Sequence, residues 1–292
     1  MNKERLKNGL EKMGIAADET ALDRFEAFHA ILDEYNARMD LTAVLDEDER
    51  VDRHDLDSAA PLAHGLLMPG AKVIDVGTGA GFPGMPLLIL RPDLQMTFLD
   101  ALNKRILFLE DALARLGLKA ETLHARAEDA AKMAAHREQY DAAVSRAVAN
   151  AATLEELTLP FVQKGGVAIA WKGPGVAEEM TAARRAAFLL GGTVRGTVDA
   201  PIPGRDDWAH VLLLTDKTGT TPKAYPRKAG TPNRKPLGQL IRKRDERRCG
   251  GIDRIGAHAF AGAKDEWEWM KKADLLLCEA KRAGWVRVWT DK

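Results

Sequence analysis

An apolar run, KVIDV, ends at Val76, and four glycines follow within eight residues: Gly77, Gly79, Gly81 and Gly84. Without Cβ atoms the backbone can turn tightly there and approach a ligand closely. A plain strand-to-helix turn needs one or two glycines, not four. No Gly-Lys-Ser/Thr follows, which excludes a P-loop. Gly79-Ala-Gly81-Phe-Pro-Gly84 does match G-x-G-x-x-G, and Asp100 stands 21 residues beyond Gly79, where an acid holds ribose hydroxyls in dinucleotide sites. An NAD(P)-dependent oxidoreductase is therefore one reading of the loop.

The acid inside the strand, Asp75, fits that reading poorly. A pyrophosphate is repelled by a carboxylate, whereas a ligand with a cationic amino-acid end is attracted. S-adenosylmethionine has such an end, with an ammonium, a sulfonium and a ribose but no phosphate. On this reading Asp75 lies near the methionine moiety, Asp100 takes the ribose, and Gly77, Gly79 and Gly81 form the floor. Asp100 has a structural alternative as the N-cap of the helix that opens at Asn103.

The surrounding pattern must position these residues. Residues 20–37 carry apolar side chains at helical spacing, and RMDLTAV and RHDLDSAAPL read as a connection into another helix. From Lys72 strands and helices alternate. The strands are KVIDVG, QMTFLD, KAETLHA, DAAVSRA and GGVAIAWKG, and the helices include NKRILFLEDALARLG and VAEEMTAARRAAFLLGG. TVRGTVDA and HVLLLTD follow with no long helix between them. This is the signature of βαβ units, so the expected fold class is α/β: a mostly parallel, doubly wound, Rossmann-like sheet with an antiparallel edge and N-terminal helices. Ligand then belongs at the carboxyl ends of the strands.

The boundaries expected from this pattern are an N-terminal helical part (1–66), a Rossmann-like core (67–216), a basic proline-rich segment (217–237) and an extension (238–292). The extension carries IRKRDERR and four of the six tryptophans. Its DEWEWMKKADLLLCEAKRAG reads as a helix and WVRVW as a short strand. Net charge is zero, with 43 basic and 43 acidic residues, but residues 217–292 hold 19 of the basic and 9 of the acidic ones. A basic tail on an acidic body suits a polyanionic partner. The charged N-terminus shows no secretory signal, no run suits a membrane span, and two cysteines suit a reduced, cytoplasmic setting. Cys249, His258 and Cys278 have no zinc-finger spacing, so no metal is expected.

The blocks MDLTAV, RHDLDS, DVGTGAGFPGMPL, LDALNKRILFL, RAE, SRAVA, WKG and YPRKAGTPNRKPL occur in order over roughly residues 15–237. Together the chain resembles the bacterial small-subunit rRNA guanine-N7 methyltransferases, also called the glucose-inhibited division protein B family. The resemblance implies a class I S-adenosylmethionine-dependent methyltransferase. Its product would be 7-methylguanine in the 530 loop of 16S rRNA, at guanine-527 in the family's nomenclature. Its partner would be 16S rRNA or the small ribosomal subunit, with no membrane and no obligate protein partner. Cofactor contacts implied by it are Gly77, Phe82, Ala127, Glu128 and Arg146. The family's Asn-Leu-Thr is replaced by Asp40-Leu41-Thr42, which adds a charge, and the extension after Leu237 has no counterpart in the pattern.

The residues constrain the acceptor independently. Both cysteines lie beyond the family-like region, which disfavours methylation at pyrimidine C5 through a thiolate. An exocyclic adenine amine is usually served by an Asp/Asn-Pro-Pro-aromatic tetrapeptide after strand four, where this chain reads Ser145-Arg146-Ala147-Val148. A guanine N7 carries a free lone pair and no proton, so it needs placement rather than a base. Arg146 is then a positioning residue, unless it merely pairs with Glu128. His54 and Asp57 either orient substrate or stitch the N-terminal helices to the sheet. Lys104, Arg105, Lys172, Arg227, Lys228, Arg234 and Lys235 are the candidate RNA contacts, and Tyr225 a candidate stacking residue. A third reading keeps the RNA contact without catalysis, as a ribosome-assembly factor.

Overall fold

The protein is described by a computed structural model, in which residues 1–238 are placed; the rest of the extension, 239–292, with its basic cluster and its expected helix and strand, lies outside the described residues. Two N-terminal helices, α1 (Lys3–Lys12) and α2 (Glu19–Asn36), are N-capped by the side chains of Asn2 and Asp18. The apolar stripe of α2, including Phe25, Phe28, Ile31 and Leu32, is buried. A short α3 (Glu47–Arg50) runs into a π-helical segment, Val51–Leu56, which continues as α4 (Asp57–Ala63). The sequence pattern reads this stretch only as a connection. π-Helical turns cluster at functional sites, because the wider turn re-aims side chains.

The core alternates β1 (Lys72–Val76), α5 (Gly84–Leu90), β2 (Gln95–Asp100), α6 (Asn103–Leu116), β3 (Glu121–His124), α7 (Ala127–Ala130), β4 (Tyr140–Arg146), α8 (Ala151–Thr158), β5 (Val162–Lys172), α9 (Val176–Leu189), β6 (Gly192–Asp199) and β7 (Val211–Lys217). The seven strands lie in the order β3-β2-β1-β4-β5-β7-β6. The first five are parallel; β7 is antiparallel to both β5 and β6. The antiparallel pair anticipated from the sequence is present, but it is inserted in reverse, with the last strand inside and β6 at the edge. The central strands are buried almost throughout, as a sheet covered on both faces requires.

The proline-rich segment is strapped to the body. Arg137 donates to the carbonyls of Thr221 and Tyr225 at 2.8 and 2.9 Å, and Thr153 Oγ1 donates to Pro232 O at 3.1 Å. A last turn, α10, spans Thr231–Arg234. Arg227 contributes most. Its Nε and Nη2 donate to Glu156, a fully buried carboxylate on α8, at 2.9 and 2.6 Å, and its own backbone N–H adds a third bond at 2.8 Å. Removing one partner of such a pair leaves a buried charge without compensation. Arg227→Ala should therefore destabilise the chain by about 3 kcal/mol, seen as a lowered urea midpoint; an unchanged midpoint would make Arg227 one more free surface cation.

The neighbouring Glu155 is also buried. Its Oε1 accepts from Thr215 Oγ1 at 2.8 Å, its Oε2 has no partner, and burial pushes its carboxyl up to about 8 from an ordinary 4.5. The folded chain then holds a proton that the unfolded chain has released between those two values, so stability falls as pH rises through that window. Glu155→Gln should flatten this slope and stabilise the protein at pH 8 by a few kcal/mol, roughly. Parallel pH–stability curves for the variant and wild type would contradict it.

Candidate functional site

At the carboxyl end of β1 the glycine loop is tied down on both sides. Gly77 and Thr78 donate to Leu99 O at 2.9 and 3.1 Å. Asp75 is completely buried, and its Oδ2 accepts from Thr78 Oγ1 at 2.7 Å and from Gly84 N at 2.9 Å. Asp75 is thus a brace inside the loop and does not line the cavity above it, contrary to the direct ligand contact expected from sequence. Its Oδ1 has no partner, and burial raises its pKa to about 6. Gly77 has φ +74°, a left-handed conformation that strains any residue with a Cβ, and a Cβ there would sit 2.8 Å from Val148 Cγ2. Gly81 also lies outside the cavity lining; a Cβ there would strike Leu109 at 2.9 Å.

A cavity of about 460 Å³ opens over this loop. Gly77, Gly79, Phe82, Asp100, Arg105, Arg146 and Val148 line it, together with Leu41, Thr42 and His54 from the N-terminal segment. Asp100 is 4% exposed; it accepts from Gly79 N at 3.0 Å, Leu102 N at 2.8 Å and Arg105 Nη1 at 3.2 Å. A carboxylate has about four acceptor positions, so one remains for a ligand. Asp100 faces the cavity and is not the N-cap of α6, which is Leu102; it holds that residue's backbone N–H instead.

The far wall is built by Arg146 at the end of β4. Its Nη1 donates to Arg53 O at 2.8 Å and to Asp57 Oδ2 at 3.0 Å. Its guanidinium carbon lies 5.3 Å from the Phe82 ring centroid. Nη2 faces His54 Nδ1 at 3.4 Å, and the His54 ring stacks on Phe82 at 4.4 Å. The partner of Arg146 is Asp57, not Glu128, and Asp57 is not the partner of His54. The other ring nitrogen of His54, Nε2, meets Thr42 Oγ1 at 2.8 Å. Burial, and then the Arg146 charge, lower the His54 pKa to about 3, so the ring is neutral.

Asp57 itself is 1% exposed, and its second oxygen, Oδ1, faces His210 Nδ1 at 3.1 Å. His210, just before β7, was not read from sequence; Asp57 does tie the N-terminal segment to the sheet, one of the two roles considered for it, but through Arg146 and His210 rather than as a pair with His54.

Other sequence candidates sit elsewhere. Ala127 and Glu128 are outside the lining; Glu128 Oε1 accepts from Gly230 N at 2.7 Å. Lys172 is 10% exposed and pairs with Glu179 at 2.7 Å, and Arg227 is held by Glu156, so neither is free for a phosphate. Lys104, Lys228, Arg234 and Lys235 are exposed, and Asp40 is exposed beside the Leu41–Thr42 rim. Tyr225 packs against the core at the strap. Among the described residues, no cluster of three or more His, Cys, Asp or Glu could hold a metal, and no helix is long and apolar enough to cross a membrane.

A sheet of this order, reversed at one strand, with a glycine loop after β1 and an acid ending β2, is the class I S-adenosylmethionine-dependent methyltransferase fold. The family model described as rRNA small subunit methyltransferase G matches residues 21–200, and the chain belongs to that family. It is 41% identical over 233 residues to the ribosomal RNA small subunit methyltransferase G of Clostridium perfringens (strain 13 / Type A), covering 80% of this chain and 97% of that one. The protein of the same name from Alkaliphilus metalliredigens (strain QYMF) is 42% identical over 233 residues, with the same coverages. Among solved structures, a Methanococcus jannaschii fibrillarin pre-rRNA processing protein overlaps with a TM-score of 0.43 at 19% identity, over 56% of this chain and 74% of that one.

Burial and then the Arg146 charge hold down the His54 pKa. Arg146→Ala also removes a partner of buried Asp57 and should lower stability. In its folded state it should move the His54 titration upward, while burial keeps it below an ordinary 6.5. Imidazole nitrogen shifts followed against pH would read this. A His54 that titrates as in wild type would remove Arg146 from its surroundings.

Proposed function

We propose that this chain transfers the methyl group of S-adenosylmethionine to N7 of a guanine in the 530 loop of 16S rRNA, and that residues 1–237 form the methyltransferase domain. The observation that carries the reading is the single cavity wall in which Asp100, the Gly77–Gly79 loop and the Phe82–Arg146–His54 stack meet.

The residues present suit the cofactor. Asp100 has an acceptor position left for a ribose hydroxyl. Gly77 lets the backbone pass under the ligand beside Val148. The unpaired Oδ1 of Asp75 leaves a buried carboxylate uncompensated beneath the loop, and a cationic amino-acid end resting on that loop offsets it through a low-dielectric layer. When bound, the cofactor supplies an electrophilic methyl on its sulfonium.

The acceptor follows from what the wall can do. Both ring nitrogens of His54 are engaged, Nε2 by Thr42 Oγ1 and Nδ1 by Arg146, and Asp100 is committed to three N–H donors. Neither is a ready general base, which suits an acceptor that has no proton to lose. The role of Arg146 is then to orient the guanine and to keep water out, acting through placement. The target base must leave its stack to enter, which costs least in a loop. Lys104, Lys228, Arg234 and Lys235 are the cations proposed to hold the RNA backbone, whereas Arg105 is held by Asp100 at 3.2 Å. This places the work in the cytoplasm, on rRNA or the small subunit.

Small-subunit particles from a strain lacking this gene, incubated with labelled S-adenosylmethionine, test the reading. One new borohydride–aniline cut in the 530 loop is expected. Label in RNA without a cut would overturn the N7 assignment. Binding of NAD in place of S-adenosylhomocysteine would favour the oxidoreductase, and a chain that binds cofactor but labels no particle would favour an assembly factor.

A further inference from the structure

A second and larger cavity, about 620 Å³, lies at the same edge of the sheet and has no part in the site above. The loop between β6 and β7 forms one side of it. That loop stands at the carboxyl end of β5, because Lys172, Val211 and Asp199 are in register. The other side is the C-terminal ends of α1 and α4. Met13, Ala63, Ile202 and Trp208 give it apolar walls, and Lys12 and His64 are set among them. Apolar walls with a few convergent polar groups are the usual make-up of a ligand site.

Three polar groups here are uncommitted. Lys12 forms no hydrogen bond or ion pair among the described residues. His64 uses Nε2 to donate to Asp199 O at 2.7 Å, leaving Nδ1. Trp208 Nε1–H is buried with no acceptor, and an unmade bond of this kind is costly. By contrast Arg205, also in the lining, is neutralised by Glu49, Asp52 and Asp207. The one carboxylate of the lining, Asp206, belongs to the loop and not to the helices that carry Lys12 and His64. The free charge on the helix side is therefore positive.

The two cavities have no lining residue in common, but Arg53 touches a lining residue of each. Arg146, which lines the first, donates to Arg53 O at 2.8 Å. The guanidinium of Arg53 lies 5.3 Å from the ring of Trp208, which lines the second. One residue, Arg53, therefore separates the group proposed to face the target base from the ring that lines the second cavity.

We infer that the second cavity takes a nucleotide of the RNA strand adjoining the target guanine, with a phosphate on Lys12 and a ribose hydroxyl on His64 Nδ1. The inference rests on the rRNA reading above. RNA loops are held in this way, by splayed bases against apolar or aromatic walls and by contacts to phosphate and 2′-hydroxyl.

A fluorescein-labelled 530-loop hairpin, titrated into the full chain at several salt concentrations, tests it. Lys12→Glu, an exposed position, should weaken binding about fivefold or more and reduce the salt slope by about 0.7 for each phosphate no longer neutralised. Ala63→Phe, which fills the cavity, should weaken binding without changing the slope. Both should bind S-adenosylhomocysteine as wild type does. Wild-type RNA affinity in Lys12→Glu would overturn the inference, whether or not Ala63→Phe folds. A wild-type chain that binds S-adenosylhomocysteine but neither binds nor methylates this RNA would overturn the rRNA reading, and this inference with it.

Discussion

The site depends on one buried carboxylate. Asp57 sits where the π-helical segment becomes α4, and three strands converge on it. Arg146 at the end of β4 and His210 before β7 take its two oxygens, and Trp171 Nε1 of β5 donates to its backbone carbonyl at 2.9 Å. Two further acids of the same segment fan out the other way. Asp55 holds His29 of α2 at 2.8 Å, and Asp52 holds Arg5 of α1 at 2.6 Å and Arg205 of the β6–β7 loop at 3.1 Å. All three are 1% exposed or less. Burying a lone carboxylate is prohibitively expensive; Asp52 and Asp57 offset that cost with partners on both oxygens, whereas Asp55 has His29 alone and its Oδ1 has no partner. The segment therefore has few alternative placements, and the N-terminal helices and the sheet share one wall.

That arrangement decides which cations are free. Arg146, Arg205, Arg227 and Lys172 are each neutralised by a carboxylate within about 3 Å. The carboxylate is nearly fully buried where Arg146 meets Asp57, Arg205 meets Asp52 and Arg227 meets Glu156, and there the mutual attraction is least screened. A phosphate in solvent cannot compete with such a partner. Lys104, Lys228, Arg234 and Lys235 have no such holder among the described residues, where they are exposed. Basic residues near a site thus divide by what they face, and the sequence alone does not tell which side of that division each falls on.

Much of the fold is legible in the sequence because local patterns and burial agree. QMTFLD is a strand at the residues where it reads as one, and the helix from Asn103 stops at Gly117 in the left-handed conformation. The glycine loop and Asp100 are equally plain, since backbone geometry dictates glycine and a strand end dictates the acid's place. The π-helical turn is not legible, because its wide geometry follows from tertiary pairs of Asp52, Asp55 and Asp57 rather than from any periodicity. The inward turn of Asp75 is hidden for a similar reason: an acid in a glycine loop can face the ligand or brace the loop, and only packing selects. Arg227 shows the same limit, as its partner Glu156 lies 71 residues away.

The most direct test is the effect of Asp57→Asn on the two halves of the site, measured as S-adenosylhomocysteine affinity and single-turnover methyl transfer to the small subunit. The floor of the cavity does not include Asp57, so affinity should stay within about threefold, while transfer should fall by about a hundredfold, the loss that a misplaced group brings. Transfer at the wild-type rate, in a folded variant, would contradict the central claim that the buried Asp57 carboxylate sets Arg146 in its working position.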